Sequence, residues 1–163
     1  MALTVTNLGT VVGLLTLDYG TGACFIIGTK INTTNGFQEI QNLKIGDYVL
    51  SFNPSTGEIA PKIITNTYIR KVEKFLEIEL SNGVKIGVTH NHPFYIPKLG
   101  QFIDAEKLEI DTELLNHNGN NTTIISIKEI IPLLQEEVYD IKVDDFHTFF
   151  VEGVGVHNPS KPF

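Results

Sequence analysis

The chain has no tryptophan, one methionine and a single cysteine in 163 residues. One thiol excludes an internal disulfide, so Cys24 stays a thiol, and any chemistry it performs needs a reducing setting such as the cytoplasm. Basic residues are scarce too. Twelve Lys and Arg against 19 Asp and Glu leave a net charge of −7 with no basic cluster, which argues against a nucleic-acid partner. No apolar stretch approaches the ~18 residues of a membrane-spanning helix, so no membrane partner is expected. The opening Met1-Ala2-Leu3-Thr4-Val5-Thr6 lacks the basic start of a signal peptide. The length suits one monomeric domain with a real core. Segment 1–23, apolar and rich in Gly and Thr, reads as a strand or two outside the main unit, and 159–163 is too short and Pro-broken to be structural.

What is present is period-two alternation. Leu76, Ile78 and Leu80 alternate with Glu77 and Glu79, the turn Ser81-Asn82-Gly83 follows, and Val84, Ile86 and Val88 resume the pattern, which predicts a hairpin. Ile125, Ile127 and the run Val138–Val143 continue it. Turns are expected at Asn35-Gly36, Asn53–Gly57, Gly100 and Asn116–Asn121. Only Glu39–Leu43, Ala105–Leu108 and Lys128–Leu134 read as helical, all of them short, so the fold class is all-β. A shift of 65 residues superimposes Phe37 on Phe102, Leu43 on Leu108, Ile45 on Ile110, Leu50 on Leu115 and Ile31 on Ile96. Two copies of one β-unit would form a pseudo-two-fold body in which Cys24 corresponds to Thr89.

A lone thiol near one end and His157-Asn158 near the other are what a polypeptide needs to cut its own backbone twice. Cys24 can attack the carbonyl before it, and the Asn158 carboxamide can attack the carbonyl of its own peptide bond. The competing structural readings are a buried, inert Cys24, turn chemistry at Thr89, and a zinc site drawn from His90, His92, His147, His157 and Cys24. The metal signal is loose, and neither a metal nor a cofactor is expected.

Three stretches resemble the splicing blocks of inteins and other Hint (hedgehog/intein) domains. They are Cys24–Thr29 continuing into Leu43–Leu50, then Val88-Thr89-His90-Asn91-His92-Pro93, and finally Tyr139-Asp140-Ile141 with His147–Phe150 and Gly155–Asn158. The resemblance implies a horseshoe-like Hint fold over 24–158, flanked by its own substrates, 1–23 and 159–163. About 45 residues separate His92 from Val138 and leave no room for a homing endonuclease, so the likeness is to a mini-intein. It further implies an N-to-S acyl shift at Ala23–Cys24, with His92 protonating the leaving nitrogen and Thr89 donating to the oxyanion or holding His92. Asn158 cyclisation would cut Asn158–Pro159. There His157 would polarise the carbonyl or stabilise its oxyanion, and His147 would relay a proton. Asp140 matches the acidic residue of the last block and would organise water or the first-step thiol.

One position departs from the splicing pattern. Pro159 stands where a Cys, Ser or Thr would receive the upstream segment, and Ser160 is one residue late. That departure resembles A-type bacterial intein-like domains, which are expected to cleave at either end with ligation as a minor route. Two other readings stay open: hedgehog-type acyl transfer to an exogenous nucleophile, and a β-rich binding module that keeps the motifs without activity.

Overall fold

The computed structural model describes residues 22–158. The strands expected in 1–23 and the tail 159–163 lie outside it, apart from Gly22 and Ala23. In chain order the strands are β1 (Phe25–Ile26), β2 (Lys30–Thr33), β3 (Gly36–Glu39), β4 (Tyr48–Phe52), β5 (Ile59–Val72), β6 (Phe75–Leu80) and β7 (Lys85–Val88). There follow β8 (Pro93–Ile96), β9 (Gln101–Asp104), β10 (Glu113–Leu114), β11 (Thr122–Ile130), β12 (Glu136–Val143), β13 (Thr148–Val151) and β14 (Val154–His157). They join in one antiparallel sheet of order β9-β8-β14-β13-β2-β4-β5-β12-β1-β7-β6-β11-β10, with β3 hung on β2.

The long strand β5 links the two halves of the sheet. Its first residues, Ile59–Ile63, pair with β4, and from Ile64 to Val72 it pairs with β12. The alternation read in the sequence sets the register of the β6–β7 hairpin, where Ile78 faces Ile86 and both are fully buried. Its turn needs the left-handed conformation that Gly83 adopts at φ +88. Phe25, Ile31, Ile64, Phe94, Phe149 and Val156 close the core between the halves.

The 65-residue repeat is visible in the backbone. Strand β3 and the 3₁₀ turn Ile40–Asn42 correspond residue for residue to β9 and the 3₁₀ turn Ala105–Lys107. Each turn is closed by a 3.2 Å bond, from the Leu43 N–H to the Ile40 carbonyl in one copy and from the Leu108 N–H to the Ala105 carbonyl in the other. Gly46 at φ +98 corresponds to Asp111 at φ +74, and each starts a two-bond clasp on a buried isoleucine, Ile64 or Ile124.

Three helical expectations need correction. Glu39–Leu43 and Ala105–Leu108 form single 3₁₀ turns, too short to pass the nucleation cost of an α-helix. Lys128–Leu134 is not helical: β11 runs through Ile130 in register with Phe75 and Glu77 of β6, and Pro132 ends regular structure. The ladder offered by β6 outweighs a weak local propensity.

Candidate active site

At the upstream junction, the last residue of β7 pairs with Phe25, and the chain beyond them stays bonded. The Thr89 N–H donates to the Cys24 carbonyl at 2.9 Å, and the Cys24 N–H donates to Thr89 Oγ1 at 2.8 Å. The nitrogen of the Ala23–Cys24 bond is therefore held by a hydroxyl that in turn donates to Asn91 Oδ1 at 3.2 Å. The two residues related by the repeat meet each other directly. The hydroxyl thus rests on the amide nitrogen of the scissile bond. Ala23 and Cys24 are buried, the latter completely.

His92 is wholly buried among Phe25 (ring centroids 4.2 Å apart), Phe94 and Phe149. Its Nε2 lies 3.2 Å from Asp140 Oδ2, and its Nδ1 has no hydrogen-bond partner among the described residues. Burial pushes the Asp140 carboxyl above the usual range; His92, the Ile141 N–H on Oδ1 (2.7 Å) and Arg70 work against that rise. His90, two residues away, instead makes a surface hydrogen bond with Glu129 at 3.1 Å. The structure thus separates the two histidines of the His90-Asn91-His92 motif.

At the downstream junction, Asn158 is buried and its carboxamide is fixed at two points by one residue. Oδ1 accepts from the Val143 N–H at 2.9 Å, and Nδ2 donates to the Val143 carbonyl at 2.8 Å. His157 Nδ1 is 2.8 Å from the Asn158 carbonyl oxygen. A carbonyl only accepts, so Nδ1 carries the proton and polarises the carbonyl that cyclisation would attack. His147 Nδ1 lies 3.2 Å from the Val143 carbonyl and 3.4 Å from Asn158 Nδ2. With its proton it donates to the carbonyl, and without it, it can accept from the carboxamide. His147 holds this place at φ +60, a backbone conformation unusual outside glycine and asparagine.

Burial lowers the His157 pKa below the ordinary 6.5, the nearby His147 and His92 add to the fall, and the bond to Asn158 resists it. In the unfolded chain His157 takes up its proton first as pH falls. Its contribution to stability is therefore complete above about pH 6.5 and is lost as pH falls from there through the depressed folded value. Phe102 packs edge-on against this ring at 4.9 Å. Phe102→Ala is expected to move the His157 pKa back toward 6.5, as read by imidazole NMR titration. An unchanged titration would remove burial as the cause.

One strand serves both junctions. Tyr139 pairs with Phe25, so the next step of that ladder sets Asp140 opposite Cys24. Val156 pairs with Phe94, so two further steps set Asn158 opposite His92. Asp140 and Val143 are three residues apart on β12, roughly 10 Å. Cys24, Thr89, His92, Asp140, His147, His157 and Asn158 thus converge on one region; Pro159 is outside the described residues. Among the described residues no three His, Cys, Asp or Glu side chains are grouped to hold a metal ion. Sequence reasoning missed two members. Val143 acts through its backbone, which leaves no sequence signal. Arg70 donates through Nη2 to the Gly22 carbonyl, and its being the chain's sole arginine was a usable signal.

Against known proteins, the family described as Pretoxin HINT domain matches residues 30–159. The solution structure of a bacterial intein-like domain from Clostridium thermocellum is 39% identical, with a TM-score of 0.79, and the alignment covers 83% of this chain and 98% of that one. A DnaB intein from Synechocystis sp. shares the fold at 19% identity and a TM-score of 0.73, covering 83% of this chain and 98% of that one. An uncharacterized protein of Methanocaldococcus jannaschii is 33% identical over 140 residues, 77% of this chain and 18% of that protein. The chain spans less than a fifth of the length of the curated relatives it matches.

Proposed function

The chain belongs to the Hint superfamily, in the family described as the pretoxin Hint domain and of the bacterial intein-like type, and from that premise we propose that residues 24–158 cut the backbone at Ala23–Cys24 and at Asn158–Pro159. Domains of this superfamily process the polypeptide that carries them. In the first step Cys24 Sγ bonds to the Ala23 carbonyl carbon. The carbon–nitrogen bond then breaks, and the thiol proton ends on the freed Cys24 amine. The product is a thioester, easier to cleave than the amide it replaces. A thiol of ordinary pKa ~8.5 needs help to ionise. His92 Nδ1, boxed in aromatic rings and unpaired, is the group we assign to carry the proton to nitrogen. Thr89 holds that nitrogen in place.

In the second step Asn158 Nδ2 bonds to the Asn158 carbonyl carbon, and the bond to the Pro159 nitrogen breaks. Nδ2 gives a proton to His147 Nδ1, the Pro159 nitrogen gains one, and a succinimide remains. His157 Nδ1–H stabilises the negative charge that builds on the Asn158 oxygen. With Pro159 next in line, no hydroxyl or thiol follows Asn158 directly. The thioester is then discharged by water or a soluble thiol.

The observation that carries this reading is the His157 Nδ1 to Asn158 carbonyl contact at 2.8 Å, placed where cyclisation needs a donor. Intact-mass spectrometry over time, with and without dithiothreitol, tests it on wild type and on Asn158→Ala. The expected products are 1–23, released by thiol, and a fragment ending at Asn158 that is lighter by one water than its free acid, absent from Asn158→Ala. A chain inert in both conditions would favour the binding-module reading. Thr89→Ala, which frees the scissile nitrogen, is expected to slow thiol-induced release about 10²-fold, the usual cost of a misplaced reactant, while Thr89→Ser keeps most of the rate. Equal rates for both would remove Thr89 from the site.

A further inference from the structure

We propose that Arg70 is a positioning residue for the upstream cut, clamping the chain before the scissile bond through the Gly22 carbonyl. The inference rests on the upstream half of the proposed function and adds a residue that the motifs do not contain.

Arg70 lies near the end of β5 and pairs with Val138, the residue of β12 that also pairs with Ile26 of β1. On that ladder Arg70, Tyr68, Val138 and Asp140 stand on one face of the sheet, because cross-strand partners and residues two apart share a face. The chain bends at Gly22, leaving the line of β1, and there the Arg70 guanidinium donates from Nη2 to the Gly22 carbonyl. Gly22 and Ala23 are both buried. The scissile peptide is therefore held on both sides: upstream by Arg70 at the Gly22 oxygen, downstream by Thr89 at the Cys24 nitrogen and oxygen. A carbonyl carbon pinned between two fixed points has little freedom to drift from the attacking sulfur, which is how orientation lowers a barrier.

Two further features favour a functional over a structural role for this side chain. Arg70 Nε is buried with no partner among the described residues, a cost that a residue kept only for packing has no reason to bear. The same guanidinium also acts electrostatically on Asp140, so the clamp and the His92–Asp140 pair share one charge environment. Arginine suits the task better than lysine because its planar fork keeps a donor aimed at the carbonyl while the cation stays charged. The contact is to backbone, so it is indifferent to the side chain at position 22.

The test compares both cuts in the full chain. Arg70→Ala is expected to slow dithiothreitol-induced release of 1–23 about tenfold, with Arg70→Lys intermediate, while release at Asn158 and the melting temperature stay near wild type. Equal slowing of both cuts would mean a general folding role and would overturn the proposal, as would an unchanged upstream rate. The contact is also readable without chemistry. Gly-Ala occurs once in the chain, at Gly22-Ala23, so labelling glycine with ¹³C at the carbonyl and alanine with ¹⁵N gives a single carbonyl-to-amide NMR correlation. In a Cys24→Ala background, Arg70→Ala should move that carbonyl upfield as it loses its donor. A shift that stays in place refutes the clamp. A wild-type chain that releases nothing while the carbonyl still responds to Arg70→Ala would sink the upstream half of the proposed function and leave the contact standing.

Discussion

Cys24→Ala is expected to abolish thiol-induced release of residues 1–23 and to leave cleavage after Asn158 within about twofold of wild type, since the two cuts draw on different groups. The first half follows from what the junction contains. Cys24 is the only thiol in the chain, it is wholly buried, and the nitrogen it must displace is its own, already held by Thr89. No other side chain is covalently placed to reach the Ala23 carbonyl through a five-membered ring. The second half follows from the division of labour at the site. Asn158 draws on Val143, His147 and His157, and the upstream junction on Thr89, His92 and Asp140. The two meet on β12, the upstream junction through Asp140 and the downstream one through Val143. A buried cysteine is often inert, and that reading forecasts identical mass spectra for wild type and variant under dithiothreitol. Loss of both cuts together would instead mean that the junctions act in sequence.

The alternation around Ile78 and Ile86 was legible because one face of that hairpin is buried and a one-residue slip would expose every apolar side chain. The repeat was legible from five apolar matches, and the backbone extends it to positions no composition marks, such as the left-handed Asp111 opposite Gly46. Lys128–Ile130 was misread because its local pattern fits a helix turn as well as a strand, and only the partner strand β6 decides between them. In the site, His92 could be preferred to His90 by spacing. The aromatic box around it could not be foreseen, since Phe25, Phe94 and Phe149 come from three distant strands. The bond from the Cys24 N–H to Thr89 Oγ1 carries no sequence signal of its own. A sequence gives the residue, whereas the atom its hydroxyl touches depends on the ladder between β1 and β7. Val143 shows the limit of motif reading: its peptide group grips Asn158, and any residue at that position offers the same two atoms.

Pro159→Cys is expected to convert a cleaving domain into one that ligates, giving a peptide in which residues 1–23 are joined to 159–163 through the introduced residue. The introduced thiol lies directly after Asn158, where it can attack the Cys24 thioester, displace the Cys24 thiolate and carry the upstream acyl group. Cyclisation of Asn158 then frees a primary amine next to that thioester, and acyl migration from sulfur to nitrogen restores an amide. Pro159 removes the first half of this sequence and slows the second. It has no nucleophile, and its ring makes the leaving nitrogen a secondary amine in a restricted bond. Pro159→Ala separates the two effects, since it relieves the ring without adding a nucleophile. We expect it to raise release after Asn158 about tenfold, a barrier change of ~1.4 kcal/mol, with no ligated product. Ligation in Pro159→Cys that disappears in Pro159→Cys/Cys24→Ala would tie the product to the thioester. Faster C-terminal release in Pro159→Cys without ligation would show that the introduced thiol does not reach Cys24, and so that the two junctions, though borne by one strand, do not close to bonding distance. If neither variant differs from wild type, proline is not the barrier, and the slow step belongs to the Val143 grip that holds the Asn158 carboxamide at both ends.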